Sequence, residues 1–277
     1  AGARLCIGSI MNTVGASGQE HLRVSIATYN RILFPHPQSG VPILALERRA
    51  TVLNGGKIRV RAHPFGGAVR ILDPAPLEEI VGELHYDSER SKGEQDFRIL
   101  IPPSKWDVVK HYCLQHLGNP EDAVLEALPH RELAEEFAET LHVDLRLNQY
   151  SAQPLGFVIE DSPAPTANTN ARGMPTVRLY RVFDVRIVDQ GLHHTMLAAS
   201  EQCPDRELAR LAQEDAERGG KGRANSILAL PLEEVTEAYL ALPPDLRFGK
   251  IVVVDHELDE SVLAVLGDVD VPQYQRM

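Results

Sequence analysis

An α+β fold is predicted from three observations. Long alternating apolar–polar runs lie near the start of the chain and again past its middle. Runs of helical period lie between and after them, and no internal repeat or clear linker divides the sequence. A chain of 277 residues is long enough for one large domain carrying an insertion.

Leu22–Phe34 alternates as a strand and is broken by Pro35, Pro37 and Gly40. Val41–Arg49, around the apolar run Ile43–Leu46, gives a second strand. Asn54-Gly55-Gly56 reads as a turn, and Lys57–Arg61 as a third strand. That strand leads into Pro64-Phe65-Gly66-Gly67, where adjacent glycines imply unusual dihedrals or a close approach to another group. Leu77–Tyr86 has a helical pattern, Ser88–Asp96 is a polar loop, and Phe97–Ile101 reads as a strand. Ser104 is expected to cap a helix over Lys105–Leu117. Asn119-Pro120-Glu121-Asp122 has the residue order of a helix start, and Pro129 should restart that helix before Arg131.

Beyond it, Leu141–Leu147 and Leu155–Ile159 are expected strands, and Ser162–Pro175 a surface loop. Thr176–Val188 alternates most cleanly of all. Glu207–Arg218 reads as a helix, Ser226–Leu232 as a strand, Leu232–Leu242 as a helix and Ile251–Val254 as a strand. The tail from Glu257 carries no assignment. The expected division is an N-terminal segment over 1–20, a domain over 21–245 with an insertion at about 72–118, and a C-terminal extension over 246–277 packed on the domain.

Composition narrows the function classes. Asp and Glu total 39 against 28 Lys and Arg, a net charge of -11. With no long basic tract, a grip on a nucleic-acid polymer is not expected. Cys6, Cys113 and Cys203 are widely spaced and odd in number, which gives neither a disulfide framework nor a metal spacing and fits a reducing cytoplasm. No apolar run reaches the length of a membrane span, and the first residues make a poor secretory signal.

The stretch that carries chemistry is Arg131-Glu132-Leu133-Ala134-Glu135-Glu136. At about 3.6 residues per turn, Glu132, Glu135 and Glu136 share one helix face. Glu139 extends that stripe, while Leu133, Phe137 and Leu141 form an apolar stripe on another side. Such a helix, burying one flank and pointing carboxylates outward, can hold Mg²⁺ or Mn²⁺, which favour oxygen ligands. The competing reading is an acidic surface helix with a solvated face.

Other motifs favour structural roles. Gly219–Asn225 lacks the ending of a phosphate-binding P-loop, although Lys221 and Arg223 could touch a phosphate. His193-His194 reads as a solvated loop pair, and Cys113 as core rather than nucleophile. No strand-to-helix nucleophile elbow or zinc-binding helix is present.

The order of these elements, with the Arg131–Glu136 motif, resembles the Nudix hydrolase family. Its signature is a glycine, five residues, a glutamate, seven residues, then Arg-Glu-aliphatic-x-Glu-Glu-x-Gly-aliphatic. Arg131, Glu132, Leu133, Glu135 and Glu136 match the second half; Ala138 and Glu139 depart from it. Pro64–Gly67 resembles the glycine turn before the box, Thr176–Val188 the strand after it, and Ala229–Val235 the late strand-then-helix phrase. In the family about twenty residues join the glycine turn to the arginine. Here Gly67 and Arg131 are 64 apart, so the box would be split by the insertion. Asp73 lies at the offset of the first-half glutamate, and a rival register over Gly82–Asp87 keeps the spacing but lacks the arginine.

The resemblance implies an α/β/α sandwich with a mixed sheet and a helical insertion. It implies a hydrolase that uses Mg²⁺ or Mn²⁺ to cleave a nucleoside diphosphate linked to another moiety. Glu132, Glu135 and Glu136 would be metal ligands, Arg131 would hold a glutamate rotamer, and Gly66 and Gly67 would let backbone approach the site and its small-molecule, nucleotide-type substrate. The alternative is a nucleotide-binding or regulatory module of the same fold without turnover. A third reading makes the insertion an oligomer interface, such as that of a homodimer.

Overall fold

In the computed structural model the described residues are 21–53, 55–166, 171–220, 222–243, 251–267 and 269–277, with Arg223 described in its backbone only. The expectations placed on residues 1–20, on Asn54, on Lys221 and on the side chain of Arg223 lie outside these residues. In chain order the elements begin with strands β1 (Leu22–Pro35), β2 (Pro42–Val52) and β3 (Ile58–His63). Then come α1 (Ala75–Val81), β4 (His85–Tyr86), α2 (Glu89–Glu94), β5 (Arg98–Ile101), α3 (Trp106–Leu117) and α4 (His130–Leu141). The second half holds β6 (Tyr150–Pro165), β7 (Pro175–Ile187), α5 (Gln190–Gln202), α6 (Asp205–Glu217), β8 (Arg223–Pro231) and α7 (Leu232–Leu240). It ends with β9 (Ile251–Val253), β10 (His256–Leu258), α8 (Val262–Val265) and β11 (Gln275–Arg276).

The fold is mixed α+β, built on a curled sheet in the order β11-β6-β7-β1-β2-β3-β10-β9, with β5 on β1 and β8 on β2. β1 runs parallel to β7 from Arg23 to Leu33. Its other edge is divided: Leu22–Ser25 pair with β5, and Ile32–Pro35 pair with β2. β2 changes partner at the same place, leaving β1 after Ala45 and joining β3 from Glu47. The segment Phe65–Ala68 fills the gap, where the N–H groups of Thr28 and Asn30 donate to the carbonyls of Gly67 and Phe65 at 2.9 and 2.8 Å. A cleft opens at this point because two strand pairs diverge there.

Both faces of the sheet are covered, so the central strands bury side chains on both sides. Leu22, Val24 and Ile26 pack with Val109 and Cys113 of α3; Ile32 and Phe34 pack with Leu133 and Phe137 of α4 and Met196 of α5. On the opposite face Ala27, Leu33 and Tyr180 meet Val235 and Tyr239 of α7 and the α8 segment.

Several expectations are corrected. The insertion is not only helical: it supplies β5 to the central sheet. α1 stops at Val81 because Gly82 turns away at φ 86, and His85–Tyr86 then pair with β5. The Gly82–Asp87 segment is therefore not the helix that the rival register needs. The loop expected at Ser88–Asp96 contains α2, whose first turn is capped by Ser88 Oγ accepting from the Ser91 N–H at 3.2 Å. Ser104 caps nothing; it sits inside a 3₁₀ turn before α3.

No helix starts at Asn119. Asn119 Oδ1 and Asp122 Oδ1 accept from the N–H groups of Glu121, Val124 and Leu125, so side chains hold the backbone in turns instead. Leu141–Leu147 is not a strand: Leu141 is the last residue of α4, His142 follows in the left-handed region, and Leu147 opens a 3₁₀ turn, although Leu141, Val143 and Leu145 do face the core. The strand begins at Tyr150 and extends to Pro165, into the segment read as a loop. α5 was not foreseen; Asp189 caps it by accepting from the Leu192 N–H at 2.9 Å.

Candidate functional site

The Arg131–Glu136 motif lies in α4, a helix of twelve residues. Leu133 and Phe137 are fully buried, and the Phe137 ring meets Phe65 with centroids 5.4 Å apart. That contact seats the Pro64–Gly67 turn against the helix. The backbone N–H of Gly66 then donates to Glu136 Oε2 at 2.6 Å. Gly66 adopts φ 142, and a Cβ there would lie 2.0 Å from the Thr28 carbonyl oxygen, so only glycine fits. A Cβ on Gly67 would fall 2.1 Å from Glu132 Oε2, so the missing side chain is the space that the Glu132 carboxylate fills.

The carboxylates do not all point outward, as the helix face alone suggested. Glu135 is exposed, Glu132 is half-buried and Glu136 is buried. Glu136 Oε1 also accepts from Arg49 Nη2 at 3.2 Å, and Arg49 contacts Glu47, another buried carboxylate. Burial, with the Glu47 charge beside it, raises the Glu136 carboxyl well above its ordinary value. Burial also raises Glu132, against the pull of Arg131. Arg131 reaches Glu132 Oε1 at 2.5 Å and Glu135 Oε2 at 2.9 Å.

Glu126 is a residue that sequence reasoning missed. Arg131 Nε donates to its two oxygens at 2.8 and 2.9 Å, and Nη2 donates at 2.6 Å. Burial alone would lower Arg131, but Glu126, Glu132 and Glu135 outweigh it and hold the guanidinium charged. An acid five residues before an arginine, across a proline, was the available signal. Glu47 was missed as well. It ended a strand as one charge among Glu47-Arg48-Arg49, and its burial, at 1% exposure, comes from what the fold packs around β2.

The glycine turn and the acidic helix share one cleft of about 670 Å³, lined by Gly66, Gly67, Glu132, Glu135, Glu136 and Glu139 together with arginines 49, 70, 90, 98 and 131. Asp73 does not line it; its carboxylate accepts from the Ala75 N–H at the start of α1. Among the described residues no three acidic, histidine or cysteine side chains converge as a ready metal cage. The donor set nevertheless suits a hard cation. Glu132 and Glu136 offer oxygens beside a backbone cradle, and Mg²⁺ is commonly held by one or two carboxylates and completed by water and phosphate oxygens.

Two further groups take structural roles. His193 is buried in α5, not in a solvated loop: its ring stacks on Phe34 at 5.1 Å and its Nε2 donates to the Ile187 carbonyl at 2.9 Å. Cys113 is buried among apolar side chains, and burial pushes its thiol up, which disfavours a nucleophilic thiolate. Among the described residues no helix is long and apolar enough to cross a membrane. The chain matches no protein-family model, no curated protein and no solved structure.

Proposed function

We propose that the chain is a metal-dependent pyrophosphohydrolase of the Nudix type, acting on a nucleoside diphosphate linked to another moiety. The observation that carries this reading is the 2.6 Å hydrogen bond from Gly66 N–H to Glu136 Oε2. It joins the glycine turn to the acidic helix although the insertion lies between them in sequence. Glu132 and Glu136 would hold the Mg²⁺ or Mn²⁺, with Glu135 at the exposed rim. When bound, the cation would supply Lewis-acid polarisation of phosphoryl oxygens and neutralise charge on the leaving phosphate. The chain's own part is to position. Arg131, fixed by Glu126, sets the rotamers of Glu132 and Glu135. Gly66 and Arg49 aim Glu136. Arg70 makes no side-chain hydrogen bond or ion pair among the described residues, and from the cleft wall it is placed to receive a substrate oxyanion.

The test is turnover of a panel of nucleoside diphosphate derivatives with and without Mg²⁺. Glu136→Gln should lower Mg²⁺-dependent turnover by about 10²-fold or more. Unchanged turnover would remove the reading. A binding module without turnover is favoured by one observation: Arg131 already engages Glu132 and Glu135. Calorimetry that finds nucleotide binding in a chain forming no product would select it.

A further inference from the structure

Because side chains alternate along a strand, β1 lays Arg23, Ser25, Ala27 and Tyr29 on one face of the sheet. In the ladder Ser25 is directly opposite Arg98 of β5 and Arg178 of β7, and Ala27 is opposite Tyr180. Residues in register across a ladder point to the same face. Two small side chains thus lie between large ones, and the depression above them is a second cavity of about 220 Å³. Arg23, Arg98 and Arg178 wall it, together with the stacked rings of Tyr29 and Tyr180, whose centroids are 4.7 Å apart.

The three guanidiniums are anchored from behind. Arg23 Nε donates to Asp87 at 2.7 Å, Arg98 Nη1 to Asp96 at 2.9 Å and Arg178 Nη1 to Glu160 at 2.7 Å. None of these three acids lines the cavity; the one carboxylate in its wall is Glu47, which Arg49 contacts. Among the described residues the other N–H groups of the three guanidiniums make no hydrogen bond, and none of them is sealed from solvent, so they open on the cavity. Charged donors held at the wall of a cavity are placed to meet an oxyanion. Burial, and then the Arg98 and Arg178 charges, pull Arg23 below its ordinary value against the hold of Asp87, as expected of crowded cations.

We propose that this cavity is a binding site for a phosphoryl oxyanion, and that it takes a phosphate which the substrate of the adjoining cleft carries in addition to its diphosphate. Guanidinium forks match the oxygens of a phosphate, and the tyrosine pair offers a flat wall to the sugar or ring that bears it. Arg49, Gly66, Gly67 and Arg98 line both cavities, so one ligand can span them. The word substrate rests on the hydrolase reading; the oxyanion site does not.

The experiment titrates inorganic orthophosphate into the full chain by calorimetry in EDTA, and follows melting in parallel. Ser25→Asp places a fixed carboxylate between Arg98 and Arg178. It should weaken phosphate binding about tenfold or more while the melting temperature holds or rises. Ser39→Asp, which adds the same charge on an exposed turn that lines neither cavity, should bind phosphate as the wild type does. No binding to the wild type, unchanged binding in a folded Ser25→Asp variant, or an equal loss in Ser39→Asp would each overturn the proposal. Phosphate binding that depends on Ser25, in a chain without turnover, would keep the site and remove the hydrolase reading.

Discussion

The backbone N–H of Gly66 and the carboxylate of Glu136 form a 2.6 Å hydrogen bond between residues 70 positions apart. The contact forms because Phe65, one residue before Gly66, packs on Phe137, one residue after Glu136. An apolar contact therefore sets the geometry of a polar one. It also bridges the insertion, whose β5 is hydrogen-bonded to the N-terminal half of β1 rather than looped out into solvent.

The two glycines should fail in different ways. Gly66→Ala forces a Cβ to 2.0 Å from the Thr28 carbonyl oxygen, a backbone atom that cannot swing aside. A loss of at least about 2–3 kcal/mol is expected in urea unfolding. In Gly67→Ala the clash is with the Glu132 carboxylate, which can move. That variant should unfold within about 1 kcal/mol of the wild type, yet bind Mg²⁺ about tenfold more weakly by calorimetry. Equal unfolding midpoints for the two variants would contradict this division.

Arg131 works as a fork. Its Nε and Nη2 grip Glu126 while Nη1 reaches Glu135, an arrangement that an ammonium on a flexible stem does not reproduce. Arg131→Lys and Glu126→Gln should each weaken Mg²⁺ binding about 10–100-fold with little change in melting temperature. Because the two residues act through one contact, the double variant should lose little more than either single one. Additive losses would separate Glu126 from the site.

Legibility in the sequence followed how local the deciding interaction was. β1 and β7 were readable because alternation is written in consecutive residues, and the α4 stripe because it repeats every three or four. The turn at Asn119–Asp122 was misread because proline and acids after a capping residue suit a helix start and a side-chain-held turn equally well. α5 was missed because its His193-His194 pair looks polar, although one ring stacks on Phe34. Within the site, the carboxylates of α4 were visible, but the inward turn of Glu136 was not. It depends on Gly66, Arg49 and Glu47, which arrive from other strands and turns.

The buried role of His193 makes it a stability residue, with no part in the proposed site. His193→Ala removes the stack on Phe34 and leaves the Ile187 carbonyl without its donor. A loss of about 2–4 kcal/mol in denaturant unfolding is expected. At a temperature where the variant stays folded, its kcat should match the wild type. A variant as stable as the parent would show that the imidazole is not holding α5 to β1.

The last prediction concerns pH. Glu136 faces Glu47, Arg49, Glu132 and the Gly66 N–H, and its carboxyl is raised above the ordinary value of 4.5 by burial first and by Glu47 second. An acid raised on folding binds its proton more tightly in the native state than in the unfolded chain. Its contribution to stability is complete below the unfolded value and is lost as pH rises through the folded one. Glu136→Gln removes that loss, so the variant should melt above the wild type at pH 8, with the gap closing toward pH 4. On the proposed reading Mg²⁺ would act in the opposite sense, since it would compensate the carboxylate only in the wild type. At about 100 times its dissociation constant it should stabilise the wild type by about 2.7 kcal/mol and the variant by much less. Melting curves of both proteins at two pH values, with and without Mg²⁺, check the sign of each effect. A gap that widens toward acid would mean that the native state favours the charged form of Glu136, contrary to its burial beside Glu47.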